Sequence, residues 1–243
     1  MASKKCCTGL APMNDIKLSV IIPSYLEEEN LRLILPRLHL ELTQIGDPFE
    51  ILIIDTMQRM DNTKDVCSTN NATCIPREFG NNYGDAIRTG IKYARGEHTI
   101  IMDADGSHSP EFVHYLYDCK SEYELVIASR YISGGSTDNS RLLIALSYLT
   151  NIIYSIVLNL NYKDISNSFR LYNTSNLKNL TLKCKNFDIV EEILYKIKKN
   201  NPDIKVLEIP YSFKERMFGH TKRNLFLFVL SYLVTIFRLR FNV

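Results

Sequence analysis

The stretch Ile100-Ile101-Met102-Asp103-Ala104-Asp105 ends an apolar run in two carboxylates that are separated by one small residue. Because a charged carboxylate is costly inside a sheet, the pattern predicts a buried strand whose acidic pair lies where the strand emerges. Carboxylate oxygens are the ligands that hard divalent cations prefer, and such a cation can hold a diphosphate. Asp-x-Asp also occurs by chance in exposed turns. The pair therefore indicates a metal site only together with its companions in the chain.

Apolar runs on both sides of this stretch predict a parallel sheet. Segments that fit buried strands lie at residues 18–22, 51–54, 99–102 and 125–128. Helical spacing of apolar residues is found between them, at residues 27–42 and 83–94. This alternation predicts an α/β fold with ligands at the carboxyl ends of the strands. Those ends carry polar or turn-forming residues, which are Pro23-Ser24-Tyr25, Asp55, Asp103 with Asp105, and Ser129-Arg130.

The composition fits one compact catalytic domain. The chain has 243 residues, a net charge of +2 and 23% charged residues, so neither a nucleic-acid-binding nor a disordered protein is indicated. The six cysteines form no CxxC pair or zinc-binding spacing, and we predict reduced thiols. Lys4 and Lys5 are not followed by an apolar segment. We therefore expect no signal peptide and a cytosolic chain.

Residues 142–162 contain no charge and form one long apolar segment. Ser147, Asn151, Ser155 and Asn159 recur every fourth residue and predict a narrow polar stripe on an apolar helix. A helix of this length could cross a bilayer. Crossing would separate Arg130 from Arg170, which we expect on one face. A helix in the membrane interface, or a buried core helix, is therefore favoured.

A second apolar segment, residues 225–237, is too short to span hydrocarbon comfortably. It lies between Lys222-Arg223 and the pair Arg238 and Arg240, and residues 216–243 contain no acidic side chain. This pattern fits a helix that rests on a membrane surface and an anionic partner such as phosphate or lipid. A helix packed on the domain or on a partner fits it equally well.

Five segments, taken in order, resemble one known family. They are LSVIIPSYLEEENL, NNYGDAIRTGIKYARGEHTIIMDADGSHSP, VIASRYISGG, DISNSFRLY and FKERMFGHTK, and they cover most of residues 18–222. The chain resembles the glycosyltransferases of family 2, and within them the dolichyl-phosphate mannosyltransferase group with its polyprenyl-phosphate glycosyltransferase relatives. An ordered series of motifs is more specific than any one of them.

The resemblance implies a GT-A fold, which is a Rossmann-like, mostly parallel sheet flanked by helices, here with apolar interface helices in the second half. It implies a tail at residues 1–17 and a catalytic domain at 18–222. The catalytic domain would consist of a nucleotide-sugar half, 18–105, and an acceptor half, 106–222. Residues 223–243 would form an apolar and basic C-terminal helix.

On the donor side, Asp103 and Asp105 match the family's metal-binding carboxylates, which implies Mg²⁺ or Mn²⁺ on the donor diphosphate. The residues that match the nucleotide-binding positions are Pro23, Tyr25, Glu27, Asp55 and Gly84. Asp55 matches only the first residue of the DDGS motif, since Thr56-Met57-Gln58 replaces the rest, and Leu26 replaces a common Asn. The base of the nucleotide therefore stays open.

The resemblance assigns a set of polar and cationic residues to the acceptor and to a closing loop. Arg130, Arg141 and Ser168 would lie near the acceptor phosphate, with Arg170 in the same cationic set. Arg216 and Lys222 would lie on a loop that closes over the donor diphosphate, with Gly219 as its hinge. Glu192 matches an acidic residue that could act as a general base on a hydroxyl acceptor, or be structural if the acceptor is a phosphate. We do not expect His108 to be a ligand.

We predict an inverting hexosyltransferase that moves mannose from GDP-mannose onto dolichyl or polyprenyl phosphate, with UDP-glucose as the other candidate donor. The expected location is the cytosolic face of a membrane, the endoplasmic reticulum in a eukaryote, with small hydrophobic membrane subunits as candidate partners. Two alternatives stay open. One is transfer to a sugar or protein hydroxyl with Glu192 as base, and the other is a non-catalytic binding protein.

Overall fold

The computed structural model describes residues 15–218 and 225–241. The strands are β1 (Leu18–Pro23), β2 (Phe49–Asp55), β3 (Thr73–Pro76), β4 (His98–Ile101), β5 (Leu125–Ser129), β6 (Ser136–Thr137), β7 (Arg170–Asn173), β8 (Val206–Pro210) and β9 (Ser212–Phe213). The helices are α1 (Glu28–Ile45), α2 (Thr63–Thr69), α3 (Tyr83–Tyr93), α4 (Val113–Asp118), α5 (Arg141–Leu158), α6 (Thr174–Lys178), α7 (Ile189–Asn200) and α8 (Leu225–Phe241).

Seven strands form the central sheet in the order β3-β2-β1-β4-β7-β5-β8. The neighbours are parallel, except that β7 runs antiparallel to both β4 and β5. Strand β1 is central, with Val20 level with Ile51 on one side and Ile100 on the other. The predicted mostly parallel α/β sheet is confirmed. The short strands β6 and β9 form a separate parallel pair.

Helices cover both faces of the sheet, which explains why its strands are continuous apolar runs. Side chains alternate between two cores: Ile21 packs in one, and Val20 and Ile22 pack in the other. Helices α1, α2 and α4 supply the second core, while α3, α5, α6, α7 and α8 supply the first. The carboxyl ends of β1, β4 and β5 consequently open at one edge, between the two helical layers.

The four predicted strands correspond to β1, β2, β4 and β5, and the helices predicted at 27–42 and 83–94 correspond to α1 and α3. The other five strands were not predicted. Strands β6 and β9 have two residues each, β3, β7 and β8 have four or five, and β7 begins with a charged residue, Arg170. Helix α1 is followed by Gly46, whose φ of 82° lies in the left-handed region that glycine adopts without strain.

Helix α5 has 18 residues and ends where Asn159 adopts a left-handed conformation, short of the 21 residues predicted. By length and composition, α5 could cross a membrane, and it is the one helix of the described residues that meets both criteria. The buried-core alternative is wrong, since only Asn151, Tyr154 and Leu158 are buried. The polar stripe faces the protein: the Asn151 side chain accepts the backbone N–H groups of Ile165 and Ser166.

Helices α5 and α8 pack against each other and leave apolar side chains exposed. Tyr232, Ile236 and Leu239 of α8 are buried, and Tyr154 of α5 donates to the Tyr232 carbonyl. We define the exposed apolar face of these helices by Leu142, Leu149, Ile152, Ile156, Val234, Phe237 and Phe241. Helix α8 also contacts α7.

Candidate functional site

A cavity of about 590 Å³ opens at the carboxyl edge of the sheet. Eight of the residues predicted from the sequence line it, and they are Pro23, Tyr25, Glu27, Asp103, Asp105, Arg130, Ser168 and Arg216. The cavity is bounded on its apolar side by Leu143 and Leu146 of α5 and by Tyr232 of α8. The fold therefore brings the predicted acidic pair and two predicted arginines to one space.

Asp103 is held from both sides where β4 emerges. Its Oδ1 accepts a hydrogen bond from the Tyr83 hydroxyl at 2.9 Å, and its Oδ2 accepts one from Ser168 Oγ at 3.1 Å. Ser168 precedes β7, which pairs antiparallel with β4, so the two residues are opposite each other. Ser168, expected near the acceptor, thus also contacts the acidic pair.

Asp105 is a half-buried carboxylate with strong hydrogen-bond donors. Its Oδ1 accepts the backbone N–H of Ser107 at 3.0 Å and the hydroxyl of the same residue, and its Oδ2 lies 2.9 Å from Arg216. Burial raises the pKa of Asp105, but the Ser107 hydrogen bonds and the Arg216 charge outweigh it and hold the pKa below its usual range. The carboxylate is therefore charged at neutral pH.

Arg216 forms ion pairs with two carboxylates of the cavity, Asp105 and Glu27. Its guanidinium contacts Asp105 and also lies 3.2 Å from Glu27 Oε1, while Asn30 donates to the other oxygen of Glu27. Burial raises the pKa of Glu27 above its usual value, against the opposing effects of Asn30 and Arg216. The backbone N–H of Met217 donates to the Asp105 carbonyl, which holds this segment across the cavity.

The residues fit a divalent metal that shares its ligands with a substrate. Asp103 and Asp105 present hard oxygen donors one residue apart, and Arg216 shows that a cation is already accommodated beside Asp105. Among residues 15–218 and 225–241, no group of three His, Cys, Asp or Glu side chains could hold a metal alone. Mg²⁺ and Mn²⁺ sites that use one or two carboxylates and substrate phosphates have this composition.

His108 supports the acidic pair through hydrogen bonds, a role that was not predicted from the sequence. Its Nδ1 accepts the Asp103 N–H at 2.9 Å, so Nε2 carries the proton and donates to Asn167 Oδ1 at 3.1 Å. Asn167 in turn donates to the Ala128 carbonyl, and the His108 ring stacks on Phe169. Burial lowers the pKa of His108, in keeping with a neutral imidazole. Only tertiary contacts reveal this role.

Arg130 lines the cavity and is paired with Asp164. Its backbone N–H, Nε and Nη2 donate to that carboxylate at 2.7 to 2.9 Å, and Nη2 also contacts Ser166 and Ser147. Burial lowers the Arg130 pKa, but the Asp164 charge outweighs it and raises the pKa, so the guanidinium is always charged. Among the described residues, none accepts a hydrogen bond from its Nη1, which leaves that donor for an anion.

The cavity lining contains a third arginine, Arg77, which was not predicted from the sequence. Arg77 follows β3, is buried, and donates to the carbonyls of Ser24, Asn81 and Asn82, which shape the cavity wall. A lone Arg after a short strand carries no local signal for this role. Asp55 is also buried, but it lies outside the cavity lining, and burial raises its pKa. Its expected contact with the nucleotide stays a prediction.

Gly84 has a different reason for its missing side chain. A Cβ at this position would lie 2.8 Å from the Lys185 carbonyl oxygen, and the Gly84 N–H donates to that oxygen at 2.7 Å. The residue lies outside the cavity lining. The chain before α7 therefore explains the missing side chain, and the match of Gly84 to a nucleotide-binding position stays a prediction.

Three further expected site residues do not line the cavity, and they are Arg141, Arg170 and Glu192. Arg141 begins α5 and is exposed. Arg170 is fully buried and donates to the carbonyls of Asp164, Ile165 and Val190, so it braces the chain beneath the cavity and is closed to substrate.

Glu192 likewise lies outside the cavity lining. Its buried carboxylate accepts the N–H groups of Lys183 and Cys184 and pairs with Lys196. Because these groups engage the carboxylate outside the cavity lining, they favour the structural alternative over the general base. Lys222 and Gly219 lie outside the described residues.

The chain belongs to glycosyl transferase family 2, whose family model matches residues 19–181. It is 29% identical over 214 residues to the dolichol-phosphate mannosyltransferase of Pyrococcus furiosus, a match that covers 85% of this chain and 59% of that relative. The chain thus spans less than two thirds of the archaeal relative. It is also 29% identical over 223 residues to the undecaprenyl-phosphate mannosyltransferase of Micrococcus luteus, covering 86% and 88% of the two chains.

Solved structures with the same architecture define the fold as GT-A. Glucosyl-3-phosphoglycerate synthase from Mycobacterium tuberculosis, in complex with Mn²⁺, UDP and phosphoglyceric acid, superposes with a TM-score of 0.72 at 13% identity, over 93% of this chain and 79% of that one. The same enzyme with Mg²⁺ and UDP gives a TM-score of 0.68 at 13% identity, over 94% and 80% of the chains. At this identity the likeness concerns the fold alone.

Proposed function

We propose that this protein transfers a hexose from a nucleotide-sugar to a polyprenyl phosphate, with inversion at the anomeric carbon. The observation that carries the proposal is the single cavity that joins an acidic pair, Asp103 and Asp105, to a buried guanidinium, Arg130, beside the apolar helix α5. Two anionic reactants, one with a lipid tail, fit such a space. The polyprenyl-phosphate names of the two relatives support this acceptor class.

On the donor side, Asp103 and Asp105 would hold Mg²⁺ or Mn²⁺ against the diphosphate. The metal would supply Lewis-acid stabilisation of the charge that builds on the departing nucleoside diphosphate. Arg216 would exchange its contacts with Glu27 and Asp105 for the diphosphate oxygens, for which a guanidinium is well shaped. Tyr25 and the wall held by Arg77 would bind the nucleoside.

On the acceptor side, a phosphate needs no protein base. Its second ionisation lies at about pH 6, so one of its oxygens is already anionic at neutral pH. That oxygen would attack the anomeric carbon while the bond from this carbon to the diphosphate breaks, giving the glycosylated phosphate and a nucleoside diphosphate. Among the described lining residues only Glu27, Asp103 and Asp105 carry carboxylates, and the first accepts from Asn30 and pairs with Arg216. This composition favours a phosphate over a hydroxyl acceptor.

The proposal also includes a peripheral position on the cytosolic face of a membrane. The exposed apolar face of α5 and α8 continues from Leu143 and Leu146, which line the cavity, and Arg238 and Arg240 are exposed on the same helix α8. An apolar face with flanking cations suits an anionic lipid surface. Small hydrophobic membrane subunits would cover the same face if it is not covered by lipid.

A donor and acceptor screen tests the proposed activity. GDP-mannose and UDP-glucose are each incubated with a short-chain polyprenyl phosphate, with and without Mn²⁺, and the glycolipid is measured. We expect metal-dependent transfer with GDP-mannose as the better donor. Asp105→Ala should reduce transfer by at least about 100-fold, since a bound metal supplies several kcal/mol of charge stabilisation.

The exposed residue Asp203 gives the matched control, because Asp203→Ala removes a carboxylate far from the cavity lining and should leave transfer unchanged. Transfer to a soluble sugar or peptide in preference to the lipid phosphate would contradict the acceptor. No turnover, combined with no metal-dependent rise in melting temperature with any donor, would instead support a non-catalytic binding protein.

A further inference from the structure

The first turn of α3 is fastened to the chain that precedes α7. The N–H of Gly84 donates to the Lys185 carbonyl, and Arg88, one turn later, donates to the Cys184 carbonyl. Glu192 fixes the other side of this connection, because its carboxylate accepts the N–H groups at 183 and 184. We refer to residues 183–188 as the connecting segment. The connecting segment is therefore held by hydrogen bonds to both α3 and α7.

Tyr83 lies where the connecting segment meets the acidic pair. Its ring stacks on Phe187 with centroids 4.3 Å apart and an interplanar angle of 26°, and its hydroxyl donates to Asp103 Oδ1 at 2.9 Å. Asn82 and Asp85 form a capping box that fixes the helix start around it. A tyrosine ring is rigid, so the position of its hydroxyl follows from the position of the stack.

Helix α8 is fastened to the same segment from the opposite side. Thr235 donates to Asp188 Oδ2, and its hydroxyl is 3.9 Å from Cys184 Sγ. Thr235 and Asp188 are both buried, so this hydrogen bond is shielded from water. A continuous series of contacts thus leads from α8 through Asp188 and Phe187 to Tyr83 and Asp103.

We propose that Tyr83 is a positioning residue for the carboxylate of Asp103, and that α8 sets the position of Tyr83 through the connecting segment. The inference rests on the proposed function, since it assigns Asp103 to the metal. Hydrogen bonds to a metal-binding carboxylate orient it and change metal affinity by about 10 to 100-fold when they are removed. The way in which α8 is held on the protein therefore determines how tightly the metal binds.

The test is a titration of Mn²⁺ in the presence of excess UDP or GDP, by calorimetry or by electron paramagnetic resonance. Tyr83→Phe keeps the stack on Phe187 and removes only the hydroxyl, and we expect about 10-fold weaker Mn²⁺ binding with a nearly unchanged melting temperature. Tyr93→Phe is the control, since it removes a tyrosine–carboxylate hydrogen bond to Glu78 at the exposed end of the same helix. Unchanged Mn²⁺ affinity in Tyr83→Phe overturns the proposal.

The contribution of α8 is tested by Thr235→Val, which removes the hydroxyl that donates a hydrogen bond to Asp188. We expect weaker Mn²⁺ binding here too. In the double variant with Tyr83→Phe, the fold-loss of Mn²⁺ affinity should be smaller than the product of the two single fold-losses. Thr174→Val, which removes a buried hydroxyl paired with Thr99 outside the cavity lining, is the control. The role of α8 is overturned if Thr235→Val binds Mn²⁺ as tightly as the wild type. It is also overturned if the fold-loss of affinity in the double variant equals the product of the two single fold-losses.

The two failures are distinguishable in one experiment. If the wild-type protein binds no Mn²⁺ with either nucleotide, the proposed function fails. If the wild type binds Mn²⁺ and the Tyr83 and Thr235 variants bind it equally well, the proposed function stands and the positioning role is rejected.

Discussion

Leu26 is a single residue at which the backbone departs from what its side chain prefers. It lies between Tyr25 and Glu27, at the turn from β1 into α1, and its φ is 57°. The left-handed region costs most non-glycine residues roughly 1 to 2 kcal/mol, whereas Asn tolerates it well. The side chain is also largely exposed, so it gains little from packing. The turn between Tyr25 and Glu27, which both line the cavity, therefore contains a local strain that the sequence shows only as an unusual Leu.

We predict that Leu26→Asn raises the free energy of unfolding by about 1 kcal/mol, because it relieves this strain. Urea unfolding measures the change. Leu33→Asn is the matched control, since Leu33 is similarly exposed but lies within regular α1, where Asn lowers helix stability. Equal effects of the two substitutions would contradict the explanation from backbone strain.

The residues of the site differ in how far the sequence reveals them. Asp103 and Asp105 are recognisable because a strand period ends abruptly in charge. His108 gives no comparable signal, since its role depends on Asn167, which is 59 residues away. Arg170 shows the opposite difficulty, because an arginine in a promising motif is used to satisfy buried carbonyls. Residue type and spacing predict chemistry, whereas burial decides which atoms are available for it.

At the scale of elements, α5 combines a polar side that meets the protein with an apolar side that meets solvent. Asn151 and Ser147 contact the segment around Ser166, while Leu149 and Ile156 are exposed. The polar stripe of α5 was predicted correctly from the sequence. Whether the apolar side of α5 would be buried or exposed was not predicted. Hydrophobic periodicity identifies a face, and only the packing of the other elements shows whether that face is covered.

We predict that Leu149→Asp combined with Ile156→Asp weakens binding to vesicles that contain anionic lipid by at least about 10-fold. Burying one large aliphatic side chain contributes about 1.5 to 3 kcal/mol, and the substitutions remove two of them from the exposed apolar face. Vesicle sedimentation measures the loss. Leu40→Asp on α1, an exposed leucine on the other helical layer, should bind as the wild type does. Undiminished binding by the double variant would exclude lipid contact by α5.

The short elements account for most of what the sequence did not predict. Strand β7 has four residues, begins with Arg170, and lies antiparallel within an otherwise parallel sheet. Neither its length nor its composition gives a periodic signal, and its direction is set by pairing partners far away in the chain. The long apolar runs of β1, β2 and β5 had no such ambiguity.

At the scale of the whole molecule, one buried carboxylic acid should make the stability depend on pH. Glu191 is fully buried under the cavity, and burial raises its pKa from the usual 4.5 to about 8, although Arg170 opposes this. The folded protein therefore keeps a proton that the unfolded chain releases above about pH 4.5. This contribution to stability is complete below pH 4.5 and is lost as the pH rises toward 8.

We predict that Glu191→Gln removes this part of the pH dependence, so that the variant gains stability relative to the wild type between pH 5 and pH 8.5, by a few kcal/mol at most. Urea unfolding at several pH values measures the difference. The exposed Glu122→Gln should show no such change relative to the wild type. Parallel pH profiles of Glu191→Gln and the wild type would show that this carboxyl is charged in the folded protein.

The reversed strand β7 also has a consequence for how the molecule forms. It supplies hydrogen bonds to β4 on one side and β5 on the other, yet it follows both of them in the chain. During synthesis, the edges of β4 and β5 that pair with β7 therefore stay unpaired until residue 173 has left the ribosome. Open edges of this kind invite pairing with other chains. A nascent polypeptide that stops before this point is the species that we expect chaperones to protect.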